Sequence, residues 1–415
     1  MSTSRRATPG EPNSIATRYS ELQSTGIELT DLTNTNPTRC GLFDPRILEV
    51  VSDHLPQAST YQPSPRGPWP ARAALAERYG GNPDDYWLTA STSEAYSWLF
   101  TILADPGDSV AIPNPGYPLI EPLARLQSIT VQPYHSFYVP TGWEVDLDSL
   151  CAALDAQVQA VVAVHPNNPT GAYCPVTVPQ LAAEHGIPLI ADEVFLPYFL
   201  GEGDPPPRIG DYPISSFGHP GVRPDPVVLP GHPARKSQDP GINDAVIFSL
   251  DGLSKLLAAP QLKLGWIRLS APILSREKYA QALDAIADTY LSVNTPVALA
   301  LPDLLDLAES VVPMITARLR ANLAIITETF GQERVRTTHG GWMVLLDVPP
   351  MMEAEALCVE LMELAGLYVH PGYFYDLPDS TLAISLLPET PIFEESCIRL
   401  NAALVVLGEK LRGIL

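Results

Sequence analysis

A lysine just past a run of apolar residues can hold a carbonyl compound as a Schiff base, provided that its surroundings keep part of it neutral. Lys255 stands in such a place, in the stretch Ser249-Leu-Asp-Gly-Leu-Ser-Lys255-Leu-Leu-Ala-Ala-Pro-Gln-Leu-Lys263-Leu-Gly-Trp266. Residues 245–250 read as a short buried strand, Asp251-Gly252 as a turn, and 262–269 as a second apolar stretch, so the lysine would lie at the mouth of a sheet. A surface lysine after a turn has the same local appearance. Three other segments fall at expected strand ends. Ser91-Thr92-Ser93 passes from a strand into a helix, where hydroxyls and free N–H groups can cradle a phosphate on the helix dipole; an ordinary N-cap reads the same way. His165-Pro-Asn167-Asn168-Pro169-Thr170-Gly171 follows a very apolar strand and can aim an asparagine into a cleft. Asp192 ends another buried strand, where an unpaired carboxylate is costly and needs a cation, such as a pyridinium N–H or a structural ion-pair partner.

Together these residues are a kit for pyridoxal 5′-phosphate: a lysine for the aldehyde, an aspartate for the ring nitrogen, an asparagine for the phenolic oxygen and a hydroxyl-rich helix start for the phosphate. The order Tyr61…Gly67, Ser91-Thr92-Ser93, Tyr117, Asn168-Pro-Thr-Gly171, Asp192 and Ser254-Lys255 resembles the fold type I pyridoxal-phosphate enzymes, specifically the class I/II aminotransferases, from about 31 to 407. The resemblance implies that Lys255 binds the cofactor aldehyde and then shuttles a proton. It assigns the ring nitrogen to Asp192, the phenolic oxygen to Asn168 and ring stacking to Tyr117. Phosphate would fall to Ser91, Thr92, Ser93, Ser254 and Lys263, with Tyr61 reaching the phosphate of a neighbouring subunit. A homodimer with shared active sites is therefore implied, acting on a small-molecule amino donor and a 2-oxo acid acceptor.

Three positions depart from the family pattern. Phe195 stands where a tyrosine often donates to the phenolic oxygen. Lys263 stands where the phosphate-binding arginine is usual, keeping the charge and losing the fork. Ala383, in Thr381-Leu382-Ala383-Ile384-Ser385-Leu386, occupies the place of the arginine that clamps the substrate carboxylate. Either another cation takes that carboxylate or the substrate lacks one. Asn36, Arg39 and Arg66 are the substrate candidates, although each arginine has equally the look of a solvated surface residue. His370 reads as structural.

The elements that must position these groups alternate. Strands are expected at 86–89, 109–112, 129–133, 160–164, 188–191, 245–249 and 264–269, with helices at 93–104, 119–127, 147–154 and 178–185 between them. This pattern predicts an α/β fold: a mostly parallel central sheet with helices on both faces, binding ligands beyond the carboxyl ends of its strands. Helices are expected at 279–287, 297–307 and 312–330. A smaller α+β domain follows, with strands at 342–348, 367–370 and 382–386 and helices at 353–365 and 392–411. The expected division is an N-terminal arm at 1–45 belonging to the small domain, a large cofactor-binding domain at 46–295, and a C-terminal small domain at 296–415. A Pro- and Gly-rich insertion at 201–241 reads as a surface lid or excursion.

With 415 residues, 46% of them apolar, the chain has material for two or more domains. A formal charge of −22 argues against nucleic acid or an anionic membrane surface as partner. No apolar run approaches a bilayer span and the N-terminus lacks a signal-like apolar core, so a cytoplasmic protein is expected. Five scattered cysteines without CxxC spacing suggest reduced thiols and no metal site. The expected activity is transamination. A pyridoxal-phosphate lyase, decarboxylase or oxidase is the alternative that Phe195 and Ala383 raise, and a non-catalytic cofactor-binding regulator is a further one that the shortness of residues 1–30 and the chain's charge of −22 disfavour.

Overall fold

The computed structural model describes residues 4–7, 10–212, 245–350, 352–411 and 413. Its centre is an eight-stranded sheet of β1 (Tyr86–Thr89), β2 (Ser109–Asn114), β3 (Thr130–Val139), β4 (Gly142–Val145), β5 (Val161–Val164), β6 (Leu189–Asp192), β7 (Ile247–Gly252) and β8 (Gly265–Ser270). Across the sheet the order is β1-β8-β7-β6-β5-β2-β3-β4. Neighbours from β7 to β3 are parallel, β8 runs against both β1 and β7, and β4 folds back on β3 as a hairpin.

Successive side chains of a strand point to opposite faces, and here each face has its own core. Val162, Val164, Ile190 and Phe248 pack beneath helix α1 (Thr92–Leu103) and the helix Ile273–Tyr290. Val161, Ala163, Leu189 and Ile247 pack on the other side, beneath Leu147–Asp155 and Thr177–Glu184. Strands covered on both faces are buried along their whole length, as β1, β5, β6 and β7 are. The strand β7 leads without a break into the one-turn helix α2 (Leu253–Leu256).

Several local expectations are corrected. Asp251-Gly252 is the end of β7, paired with Trp266 and Gly265, and not a turn. The Asp251 carboxylate accepts the Gly252 N–H at 2.7 Å and is itself held by an arginine, which lets an Asp-Gly pair stay extended. The short strand β4 carries too few residues for its alternation to stand out in the sequence. Residues 301–330 form one helix, α3 (Leu301–Phe330), with Pro313 inside it. A buried stripe that includes Leu304, Ala308, Val311, Ile315 and Leu319 outweighs the hydrogen bond that the proline removes. The insertion at 201–241 opens by packing inward, since Ile209 is fully buried and Arg208 nearly so; its residues 213–241 lie outside the described residues.

The C-terminal part pairs β9 (Met343–Asp347) with β10 (Thr381–Ser385) antiparallel, and His370–Pro371 lines up beyond β10. Helix α4 (Ala354–Ala365) packs against His370–Pro371, and α5 (Thr390–Leu411) packs on α4 and α3. The N-terminal segment joins the same unit: Ser14–Ser24 packs on α4, and Thr30–Asp31 pairs with Leu367–Tyr368 in parallel. Among the described residues no helix is long and apolar enough to cross a membrane.

The Asn168 loop is pressed against the C-terminal unit. Gly171 has φ +67°, and a Cβ there would lie 2.6 Å from the Gly340 carbonyl oxygen and overlap the Thr338 hydroxyl. Gly186 has a similar φ of +70° with nothing within 4 Å. Gly171→Ala should therefore cost about 2–4 kcal/mol against about 1 kcal/mol for Gly186→Ala. Thermal melting of the two variants checks this, and equal losses would show that the two segments are not in close contact.

Candidate active site

The carboxyl ends of β5, β6 and β7 open on a cleft of about 250 Å³, which α1 and the segment around Tyr117 also line. The site lysine reaches it because β7 ends in Gly252, where any Cβ would sit 3.0 Å from the Gly265 Cα and the Leu264 carbonyl oxygen. That close approach, with the Leu253 N–H donating to Leu264 O at 2.9 Å, turns the chain into α2 and presents Ser254 and Lys255 to the cleft. Lys255 Nζ lies 5.4 Å from the centre of the Phe195 ring and 4.9 Å from that of Trp342. Burial lowers its pKa to about 8, against the pull of Asp192.

Asp192 ends β6 with 6% of its surface exposed. Its carboxylate accepts the Tyr96 hydroxyl at 3.0 Å and the Val194 N–H at 3.3 Å. Burial raises its pKa to about 6; those two donors and Lys255 oppose the shift, and Asp251 adds to it. Both groups are thus pushed toward their neutral forms, the direction that burial imposes on any charge lacking a full partner.

The two asparagines after β5 divide the work. Asn167 shapes the turn, accepting from the Thr170 hydroxyl at 2.9 Å and donating to Pro115 O at 3.3 Å. Asn168 lines the cleft, and its Oδ1 is buried with no hydrogen-bond partner among the described residues. At the start of α1, Ser91 caps the helix by accepting the Glu94 N–H at 3.2 Å, and Glu94 accepts the Ala90 N–H in return. This reciprocal cap leaves the hydroxyls of Thr92 and Ser93 for the cleft at the positive end of the helix. Tyr117 and Lys263 also line it, Lys263 from a left-handed backbone position at φ 53°.

The remaining candidates stand elsewhere. Arg66 is not a cleft residue: its guanidinium grips Asp284 through two 2.5 Å hydrogen bonds, donates to Asp84 O and covers the Trp87 ring at 4.6 Å. A structural ion pair therefore replaces the substrate role considered for it. Asn36 caps its own turn, accepting the Thr38 N–H at 3.1 Å, while its neighbour Thr35 lines the cleft. Arg39 is exposed on that turn, outside the cleft lining. Tyr61 is 62% exposed and away from the cleft of its own chain. His370 hydrogen-bonds the Tyr375 hydroxyl at 3.2 Å amid aromatic rings.

Ala383 is fully buried in β10 within an apolar cluster of Met343, Leu345, Tyr375 and Leu377. The cations among the described residues lining the cleft are Lys255 and Lys263. Two residues were missed in the sequence. Tyr96 lies one turn beyond Thr92, a spacing of four that places both on one helix face and was available as a signal. Trp342 arrives from the C-terminal unit, and no local pattern announces it.

The sequence profile of the family described as aminotransferase class I and II matches residues 47–403. The chain belongs to that family. Its cofactor is pyridoxal 5′-phosphate. Among curated relatives, nicotianamine aminotransferase A of Hordeum vulgare is 31% identical over 254 residues, 57% of this chain and 47% of the relative. The alanine aminotransferase of Mycobacterium tuberculosis is 27% identical over 288 residues, 66% of this chain and 59% of the relative. The chain thus spans about half the length of the curated relatives it matches. Among solved structures, alanine aminotransferase from Pyrococcus furiosus superposes with a TM-score of 0.82 at 21% identity, covering 98% of this chain and 100% of that one. An aspartate aminotransferase variant from Thermus thermophilus gives 0.77 at 22%, covering 97% and 100%. These likenesses establish the fold, α/β with a mostly parallel central sheet.

The cleft fits the cofactor: it offers an amide at Asn168 whose Oδ1 has no partner among the described residues, a buried carboxylate at Asp192, an amine at Lys255 and hydroxyls at a helix start. A buried polar atom without a partner is costly unless a ligand satisfies it. In the cofactor-free chain, labelling by an amine-directed reagent should be half-maximal at Lys255 near pH 8, because the neutral amine dominates above its pKa. An ordinary lysine would require a pH of about 10.4, and peptide mapping across pH separates the two.

Proposed function

We propose that this chain is a pyridoxal-phosphate-dependent aminotransferase that moves an amino group between an amino acid and a 2-oxo acid in two half-reactions. The observation carrying this reading is the meeting of Lys255, Asp192 and Asn168, whose Oδ1 is unpaired, in one cleft of a class I and II aminotransferase fold.

The cofactor, when bound, supplies an electron sink for the carbanion formed at the substrate Cα. The protein's own groups would do the rest. Lys255 offers an amine that is about half neutral near pH 8, able to bind the aldehyde and, once released, to take a proton at Nζ from Cα and deliver it to C4′ of the cofactor. Asp192 would hold the ring N–H; gaining that cationic partner favours its ionised form. Asn168 would donate to the phenolic oxygen from Nδ2, leaving its Oδ1 to accept. Phe195 has no hydroxyl to add there, so that oxygen depends on Asn168 more heavily. Tyr117 would cover the ring. Thr92, Ser93, Ser254 and Lys263, with Ser91 fixing the helix start, would hold the phosphate. Tyr61, exposed in its own protomer, would reach the phosphate of a second copy, which makes a homodimer with shared sites part of the proposal.

Two measurements test it. The purified protein should release about one equivalent of 2-oxo acid per site from an amino acid before any acceptor is added. Lys255→Ala should lose at least about a thousandfold in turnover, along with the yellow absorbance of the bound cofactor. Elimination products, carbon dioxide or peroxide in place of the 2-oxo acid would assign the cleft to a lyase, decarboxylase or oxidase instead. A second comparison addresses the missing guanidinium at Ala383. Replacing an amino acid donor by the corresponding primary amine should lower kcat/KM by less than about tenfold, since no bidentate charged clamp is lost. A drop beyond about a hundredfold would point to a cation delivered from a second copy.

A further inference from the structure

Beneath the cleft lies a buried ion cluster that does not line it. Arg208 donates from Nη1 to Glu193 at 2.8 Å and from Nη2 to Asp251 at 2.6 Å, with side-chain exposures of 10% for the arginine, 0% for Glu193 and 1% for Asp251. Its guanidinium covers the Tyr79 ring at 4.2 Å. The second oxygen of each carboxylate is also occupied: Glu193 accepts the Ile209 N–H and Asp251 the Gly252 N–H, both at 2.7 Å. Glu193 adjoins Asp192 in the chain, and Asp251 precedes Lys255 by four residues through the Gly252 bend. The arginine therefore ties the end of β6 to the end of β7, the two points that carry the carboxylate and the amine of the site.

We propose that Arg208 is a positioning residue for the reaction: it bolts the Asp192 and Lys255 strand ends together and neutralises the two carboxylates beneath them. This rests on the roles proposed above for Asp192 and Lys255. One guanidinium faces two buried carboxylates, so the cluster keeps an excess negative charge. Asp251 already favours the protonated form of Asp192. Without Arg208 the two carboxylates lose their counter-charge, and while they stay ionised both Asp192 and Lys255 hold their protons to higher pH. Removing one carboxylate has the opposite effect. The other groups facing the pair are the hydroxyls of Tyr96 and Tyr117, from α1 and the segment before Ile120–Leu126, with Lys263 on the cleft wall, and the cluster itself is faced by His165, Tyr198, Tyr212 and Arg268; the variants leave all of them unchanged.

The test is the pH midpoint of Lys255 labelling in the cofactor-free chain, together with the pH titration of the absorbance of the loaded enzyme. Arg208→Gln should raise the labelling midpoint by about half a pH unit or more, and Arg208→Lys should return most of the way. Asp251→Asn keeps an acceptor for the Gly252 N–H and should lower the midpoint, as should Glu193→Gln. These two variants carry the test if Arg208→Gln fails to fold. Midpoints that stay with the parent in Asp251→Asn and Glu193→Gln, or that move the same way for arginine and carboxylate variants, would overturn the proposal. A parent protein that binds no cofactor while the midpoints shift as expected would instead sink the assigned roles of Lys255 and Asp192.

Discussion

The site depends on burying an amine and a carboxylate at the ends of neighbouring parallel strands. Water is the best solvent for either charge, and removing it drives the Asp192 carboxyl up to about 6 and the Lys255 amine down to about 8. For the lysine this shift amounts to roughly 3 kcal/mol of disfavoured charge. The opposite charges attract and soften the effect, yet burial prevails for both. An amine with a substantial neutral fraction near physiological pH is what Schiff-base and proton-transfer chemistry requires, and the sheet produces it by placing these residues where two apolar cores meet a cleft.

Holding them there makes further demands on the fold. Gly252 permits the close crossing that turns β7 into α2. Tyr96 and the Val194 N–H keep the aspartate from being wholly unpaired. The neighbouring acidic residues, Glu193 and Asp251, are fully buried and would be untenable without a cation. The start of the insertion supplies that cation by folding inward at Arg208, so a segment remote in sequence from the lysine supports the floor of the site.

The wall above the amine is unusual in the other direction. Phe195 and Trp342 pack edge to face with their centres 5.4 Å apart, and both rings face Nζ. The position expected to hold a carboxylate-binding arginine is an alanine sealed among apolar side chains. On the roles proposed for Asn168, Asp192, Lys255 and the helix start, the hydrogen-bonding groups would serve the cofactor and leave shape and apolar contact more weight in choosing the substrate.

The sequence by itself determined seven of the eight strands of the large sheet and the helices between them, the residues at the strand ends and the family. Buried parallel strands are written as apolar runs, and the turns after them as Asn, Pro, Gly and Ser, so both can be read locally. Asn168, Asp192, Lys255 and the Ser91 cap stand where those local patterns put them. Only the tertiary structure decided which arginines serve the fold: Arg66 and Arg208 look alike in sequence, and their roles follow from carboxylates 218 and 43 residues away, Asp284 and Asp251. Trp342 beside Lys255, the extension of β7 through Asp251-Gly252 and the inward start of the insertion likewise arise from contacts between distant segments. Burial and pairing are properties of what a residue finally touches, and that is settled by packing rather than by its neighbours in the chain.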